Sequence, residues 1–183
     1  MTERPYPRPM AVPFLARLAH HDRALFARWA LSGSPRLLSR RAWTAVTHLG
    51  GTVASVLAVA LPLGLPGAVG DAAREGALVL AVSHLLVQLV KRSVGRPRPA
   101  RTLSFEALVG EPDRFSFPSG HAAAAMSVAL GYGLAFPVAA PVLVPLALLV
   151  GFSRVVLGVH YPGDVLAGQT LAVLTAALLR LLG

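Results

Sequence analysis

The chain has 183 residues, of which 55% are hydrophobic and 14% charged, with a mean hydropathy of +0.63 and a formal net charge of +9. This length suits a single domain, and the hydropathy lies outside the usual range of soluble domains, so we expect an integral membrane protein. The positive charges flank apolar stretches instead of coating a polar face, which argues against nucleic-acid binding. The absence of cysteine excludes disulfides, thiolate metal sites and a cysteine nucleophile.

The predicted elements are all helical. Residues 1–12, rich in proline and arginine, predict a flexible tail, and residues 13–31 predict an amphipathic helix that carries too much charge to span a membrane. That helix either lies in the headgroup layer or packs on the end of a helix bundle. Five apolar segments follow, each close to the ~20 residues that span a bilayer. They cover residues 43–65, 72–94, 119–137, 140–158 and 164–182.

The sequence therefore predicts an all-α, polytopic membrane bundle of about five transmembrane helices plus an N-terminal interfacial helix. Residues 13–183 form one membrane-embedded domain with its core at 43–183. We find no pattern typical of β-strands bounded by turns.

Three short polar blocks stand at the ends of the predicted spans. They are Lys91 with Arg98-Pro99, then Pro118-Ser119-Gly120-His121, then Ser153-Arg154 with His160 and Asp164. With five spans, all these ends lie at the same membrane face, so the blocks are expected to meet at one mouth of the bundle. Ionisable side chains are costly in lipid, and such a set indicates a functional site.

The residue types in these blocks suit phosphate chemistry. Arg98 and Arg154 can each donate two hydrogen bonds to a phosphate, and Lys91 supplies a point charge. Ser119 is a good helix N-cap and Gly120 permits close approach to an oxygen, at a helix start whose N–H groups attract anions. Two imidazoles and a carboxylate complete the parts of a phosphate-ester hydrolase.

In order and spacing, the blocks resemble the signature of the type 2 phosphatidic acid phosphatase superfamily, which is Lys-x6-Arg-Pro, Pro-Ser-Gly-His and Ser-Arg-x5-His-x3-Asp. The resemblance, over residues 43–183, implies a membrane phosphatase that acts on lipid phosphates or diphosphates without a metal or other cofactor. It implies that His160 is the nucleophile that becomes phosphohistidine, that Asp164 orients it, and that His121 protonates the leaving group. It assigns phosphate contacts to Lys91, Arg98, Ser119, Gly120 and Arg154.

The resemblance leaves the substrate open. A polyprenyl-linked phosphate is favoured, with a phosphatidylglycerophosphate or phosphatidate phosphatase as the alternative. A non-catalytic membrane protein that binds lipid phosphates is a further alternative. The superfamily also contains vanadium haloperoxidases, but the membrane spans disfavour vanadate-dependent halide oxidation.

Charge distribution predicts an orientation. Of the 17 lysines and arginines, all but Arg74 and Arg180 fall on the side of the polar blocks. The positive-inside tendency therefore predicts a cytoplasmic site in a bacterial plasma membrane.

The remaining polar residues have simpler expectations. His48 and His84 are expected to be packed core residues. Arg96 is expected to snorkel to the membrane interface, and Asp113 to be a solvated loop charge.

Overall fold

The computed structural model of the protein describes residues 13–30, 39–103, 107–111 and 113–182, with side chains from residue 21 onward. The predicted tail at 1–12 lies outside these residues. The helices are α1 (Pro13–Trp29), α2 (Arg40–His48), α3 (Thr52–Ala60), α4 (Ala68–Val94), α5 (Pro99–Thr102), α6 (Gly120–Ala135), α7 (Ala140–Val156) and α8 (Pro162–Leu182). Within the described ranges every regular element is a helix, which confirms the predicted all-α class.

The five predicted spans correspond to helical segments, with one correction. By length and composition α4 and α8 are able to cross a membrane, and α2 with α3 meet the same criteria only as a pair, bent by 41° at the break between them. The sequence predicted one continuous helix there and missed this break. Gly50 and Gly51 lie at it, and a side chain at Gly50 would collide with the backbone oxygen of His121, 2.7 Å away. The bend thus lets this segment approach the start of α6 closely.

Helix α6 lies at the centre of the bundle and packs against α4, α7 and α8. Only 16 residues long, it is built largely of buried alanine and glycine. These small side chains allow close helix contact, as where Gly131 meets Gly76 of α4. A buried hydrogen bond of 2.9 Å between the hydroxyls of Ser83 and Ser127 also joins α4 to α6.

Helix α1 packs across one end of the bundle against α7 and α8. Phe26 is only 2% exposed and packs against Tyr161, with ring centroids 5.6 Å apart and the ring planes tilted by 60°. This contact favours the second of the two expectations for α1, packing on the bundle end. Its depth relative to a headgroup layer stays a prediction.

The opposite end of the bundle is marked by an exposed ion pair. Arg180, near the end of α8, lies 2.6 Å from Glu75, near the start of α4. The two helices therefore run antiparallel, and the end of α4 meets the start of α8 at the other end. Large apolar side chains such as Leu85 and Leu174 remain exposed along both helices, as expected for surfaces that face lipid.

Candidate active site

The three polar blocks converge at the end of the bundle that carries the end of α4, the starts of α6 and α8, and the end of α7. The residues brought together there are the predicted ones: Lys91, Arg98, Ser119, Gly120, His121, Arg154, His160 and Asp164. Most are fully buried, although they are polar. Burial of so many polar groups is stable only when they bind each other or a ligand.

Lys91 and Arg98 share one carboxylate. The Lys91 Nζ lies 2.6 Å from Asp113 Oδ2, and the Arg98 Nη2 donates to Asp113 Oδ1 at 3.0 Å. Burial raises the pKa of Asp113, but the hydrogen bond and charge of Lys91, together with Arg98, outweigh it and lower that pKa below its usual value. Asp113 is thus an ionised partner of the two cations, and the expectation of a solvated loop charge was wrong.

The contact between Arg98 and His160 fixes which ring nitrogen carries no proton. Arg98 Nη1 lies 3.2 Å from His160 Nε2, and a guanidinium can only donate. His160 Nε2 therefore accepts and carries no proton, which leaves the proton on Nδ1. Complete burial, followed by the positive charges of Arg98, Arg154 and Lys91, lowers the pKa of His160 well below its usual value of 6.5. A neutral imidazole with an unprotonated Nε2 is the form required of a nucleophile, and the Arg98 N–H must leave this lone pair before it attacks.

Asp164 lies on the other side of this ring. Its Oδ2 is 3.6 Å from His160 Nδ1, which is longer than a hydrogen bond, and it accepts from the backbone N–H of Tyr161 at 2.8 Å. Catalytic hydrogen bonds are often long without substrate and shorten in the reacting complex. The arrangement is compatible with Asp164 orienting His160.

The turn before His160 sets its position. Gly158 has a φ of 81°, a left-handed conformation that glycine adopts without strain. It turns the chain back so that the N–H groups of Val159 and His160 both donate to the carbonyl oxygen of Arg154, at 3.1 and 3.2 Å. The nucleophile candidate is thereby attached to the end of α7.

Arg154 presents unused donors. Its Nη1 donates to Thr47 Oγ1 at 2.7 Å, whereas Nε and Nη2 are buried with no hydrogen-bond partner among the described residues. Since Arg154 is only 2% exposed, water does not readily satisfy these groups. Unpaired buried guanidinium N–H groups are costly, and an anion bound beside them would remove the cost.

The start of α6 is joined to the start of α8. Ser119 caps α6, accepting from Ala122 N at 3.5 Å, while its own N–H donates to the carbonyl oxygen of Asp164 at 2.9 Å. A side chain at Gly120 would meet only Val87, at 3.9 Å, so its backbone is open to a ligand. His121, the next residue, lines a cavity together with Gly120.

Two further charged residues support Asp164 and were missed at the level of sequence. Arg96 Nη1 donates to Asp164 Oδ1 at 2.6 Å. The same nitrogen lies 2.8 Å from Asp22 Oδ2 of α1, and this second contact is an ion pair that lacks hydrogen-bond geometry. Asp22 Oδ1 accepts from Gly163 N at 2.8 Å. Burial, only partly offset by Arg96, raises the pKa of Asp22.

Arg96 therefore does not snorkel; it lies between two buried carboxylates and over the ring of Tyr161, 4.2 Å from its centroid. Its position within the Lys91–Arg98 block was the available signal. For Asp22 the only signal was an acidic residue in a helix otherwise rich in basic residues.

A cavity of about 630 Å³ leads from this cluster between α3, α4 and α6. Lys91, His121 and His160 line its polar end, and Val59 and Leu80 are among the apolar residues further along. His84 also lines the cavity and is exposed, as is His48 elsewhere, so the expectation that both are packed core residues was wrong.

The described side chains offer little for a metal ion. They contain no group of three or more His, Cys, Asp or Glu able to hold one. Metal independence stays a prediction, to be tested with a chelator.

Fold and site define an integral membrane helix bundle with a buried cluster of cations, imidazoles and carboxylates at one end. The model of the PAP2 superfamily matches residues 74–182, more than half of the chain, and the protein belongs to that superfamily. The predicted family is thus confirmed.

The names of similar proteins describe phosphatases that act on different lipids. The decaprenylphosphoryl-5-phosphoribose phosphatase of Mycobacterium tuberculosis is 38% identical over 104 residues, covering 56% of this chain and 56% of that protein. The lipid A 1-phosphatase of Rhizobium etli is 37% identical over 91 residues, covering 47% of this chain and 39% of that protein. The chain thus spans about half the length, or less, of these curated relatives.

A solved structure extends the likeness over nearly the whole chain. The transmembrane PAP2-type phosphatidylglycerolphosphate phosphatase from Bacillus subtilis superposes with a TM-score of 0.72 at 28% sequence identity. The match covers 90% of this chain and 85% of that one. It supports the bundle architecture described above.

Proposed function

We propose that the protein is an integral membrane lipid phosphatase that hydrolyses a phosphate monoester or diphosphate through a phosphohistidine at His160. The observation that carries this proposal is the unpaired, buried edge of Arg154 at the same site as an imidazole whose unprotonated Nε2 contacts only the displaceable N–H of Arg98 among the described residues. A phosphate bound there would accept from Arg154 while its phosphorus atom faces the nucleophile. Lys91 and Arg98 would neutralise the remaining charge once the phosphate replaces the Asp113 carboxylate.

The proposed reaction has two steps. In the first, His160 Nε2 attacks phosphorus, the P–O bond to the lipid breaks, and His121 donates a proton to the departing oxygen. Asp164 stabilises the positive charge that develops on the imidazole of His160. In the second, water attacks the phosphohistidine and gives up a proton to His121, the P–N bond breaks, and inorganic phosphate leaves.

The cavity supports a lipid substrate. Its polar end holds the phosphate-binding groups, and its lining becomes apolar between α3 and α4, where large apolar side chains face the bilayer. A phosphate at the rim and a tail in the membrane would occupy both parts. Among lipids we favour a polyprenyl-linked substrate, which the mycobacterial relative's name supports, with phosphatidylglycerophosphate or phosphatidate as the alternative.

We also infer that the site faces the cytoplasm of a bacterial plasma membrane. The support is the excess of lysine and arginine at the end of the bundle that carries the site.

The test is phosphate release by purified protein in detergent from a panel of lipid phosphates. We expect hydrolysis that vanadate inhibits and EDTA does not affect. His160→Ala should abolish turnover and acid-labile phosphoenzyme, and His121→Ala should reduce turnover by a factor of about 100 or more. Binding of lipid phosphates without release of phosphate would instead favour the non-catalytic alternative, and full activity of His160→Ala would refute the mechanism.

A further inference from the structure

Beyond the phosphate-binding end, the cavity wall carries polar side chains that the proposed reaction does not use. Gln88 and His84 of α4 line it, and their side-chain nitrogens lie 3.3 Å apart. Ser55 of α3 lines the same cavity. Its hydroxyl is buried and has no hydrogen-bond partner among the described residues. These three side chains are uncharged or weakly basic, unlike the cations at the cavity's end.

The positions on α4 place this polar wall at a defined depth. Lys91, Gln88 and His84 are three and four residues apart, so they follow one face of the helix. At 1.5 Å per residue, the polar stretch from Lys91 to His84 is about 10 Å long. The next cavity residues along α4 are Ala81 and Leu80, which are apolar. The lining thus changes from cationic to neutral polar and then to apolar.

This order bears on what lies between the reacting phosphate and the tail. A hydrocarbon chain attached directly to that phosphate would run along Gln88 and His84 and leave the Ser55 hydroxyl unpaired. Unpaired buried polar groups weaken binding. A linker with hydroxyl groups would give Ser55 a partner and would hydrogen-bond with the amide and the imidazole. A sugar or glycerol unit with its attached ester group is a linker of this chemical kind.

We propose that Ser55, His84 and Gln88 form a subsite for a hydroxyl-bearing linker, a glycerol or sugar unit, between the reacting phosphate and the lipid tail. This inference rests on the proposed phosphatase function and narrows its substrate class. It disfavours lipids whose terminal phosphate is attached directly to the hydrocarbon tail, such as a simple prenyl phosphate.

The experiment compares kcat/KM for two substrates in the same detergent. Phosphatidylglycerophosphate has a hydroxyl-bearing glycerol next to its terminal phosphate, whereas farnesyl phosphate has none. The wild-type protein should prefer the first by tenfold or more. Ser55→Ala and Gln88→Leu should each reduce that preference two- to tenfold, the range expected for one hydrogen bond. Hydrolysis of farnesyl phosphate should change less than twofold and thereby report folding.

Ser93→Ala is the matched control, because Ser93 lies on α4 outside the cavity lining and its hydroxyl donates to the carbonyl oxygen of Leu89 in its own helix. It should leave the substrate preference unchanged. Equal use of both substrates by the wild-type protein, or a preference that survives both substitutions, would overturn the subsite while leaving the phosphatase function intact. Absence of phosphate release from either substrate would instead refute the phosphatase function itself.

Discussion

Substitution of Asp22 by asparagine tests whether α1 contributes to the chemistry. Asparagine is nearly the same size and keeps an oxygen to accept from Gly163 N–H, but it removes the negative charge 2.8 Å from Arg96. The charge of Arg96, now shared by two carboxylates, would then act on Asp164 alone. Asp164 would become less able to stabilise a positive His160 during attack on phosphorus, so kcat should fall.

The size of the effect follows from distance. Without the Asp22 carboxylate, one positive charge of Arg96 is left uncompensated. The contacts from Arg96 through Asp164 put this charge roughly 8–10 Å from His160 Nδ1, where unit charges interact by about 1.5–2 kcal/mol at an effective dielectric constant of about 20. This energy corresponds to a decrease of about 10- to 30-fold in kcat. KM should change little, because the contacts of Asp22 are with Arg96 and Gly163 and not with the phosphate-binding cations.

The assay should separate chemistry from loss of folded protein. We would measure kcat per vanadate-binding site at pH 8, because burial raises the pKa of Asp22 and a higher pH favours its ionised form. Asp71→Asn is the matched control, since Asp71 forms an exposed ion pair with Arg74 at the far end of the bundle. If Asp22 acts through Arg96, the double variant with Arg96→Gln should be no slower than Arg96→Gln alone.

Three results would refute this reasoning. One is a kcat per site within twofold of wild type in Asp22→Asn. Another is a loss that only mirrors the loss of vanadate-binding sites. The third is strict additivity of the Asp22 and Arg96 substitutions.

Three further predictions concern other parts of the site. Asp113→Asn should tighten vanadate inhibition about three- to tenfold, because the Asp113 carboxylate competes with anions for Lys91 and Arg98. Glu111→Gln is the control, since the Glu111 carboxylate pairs with Arg101. Weaker inhibition of Asp113→Asn than of the wild type would contradict the competition. Because the pKa of His160 is lowered in the fold, unfolded chains take up a proton below pH 6.5 that the native state does not. The contribution of neutral His160 to the free energy of unfolding is complete above pH 6.5 and falls by up to about 1.4 kcal/mol per pH unit below it. Thermal unfolding in detergent should therefore depend less on acid in His160→Asn than in the wild type. An unchanged dependence would refute the lowered pKa of His160. In this cysteine-free chain, Arg101→Cys should react with a membrane-impermeant maleimide only after permeabilisation of cells, and labelling of intact cells would reverse the orientation.

The sequence was sufficient for the helical class and the convergence of the polar blocks because both follow from local patterns. Apolar segments of near-spanning length alternate direction, so Lys91 at the end of one and His121 at the start of the next must share a face. The same logic places Arg154 and Asp164 there. Spacing alone therefore identified side chains that the fold brings together, although their roles stay predictions.

The features that were missed depend on contacts between distant parts of the chain. Asp22 and Gly163 are 141 residues apart and joined by one hydrogen bond. Arg96 differs from a snorkelling arginine only because α1 and α8 supply carboxylates on two sides of it. The break at Gly50 and Gly51 has a local signal, since glycine disfavours helix, but the close approach to His121 that uses it is tertiary.

The site's location at helix ends explains how so polar a cluster is stable beside a membrane. Helix ends expose backbone N–H and C=O groups that must find partners, and here several are used to hold the reacting groups. The carbonyl oxygen of Arg154 at the end of α7 accepts from His160, and the N–H of Ser119 at the start of α6 donates to the carbonyl oxygen of Asp164. The backbone thus fixes the nucleophile candidate and its orienting carboxylate, which leaves the guanidinium edge of Arg154 unpaired for an anion. A substitution such as Gly158→Ala, which strains the turn before His160 without touching any charge, should therefore impair phosphoenzyme formation more than vanadate binding.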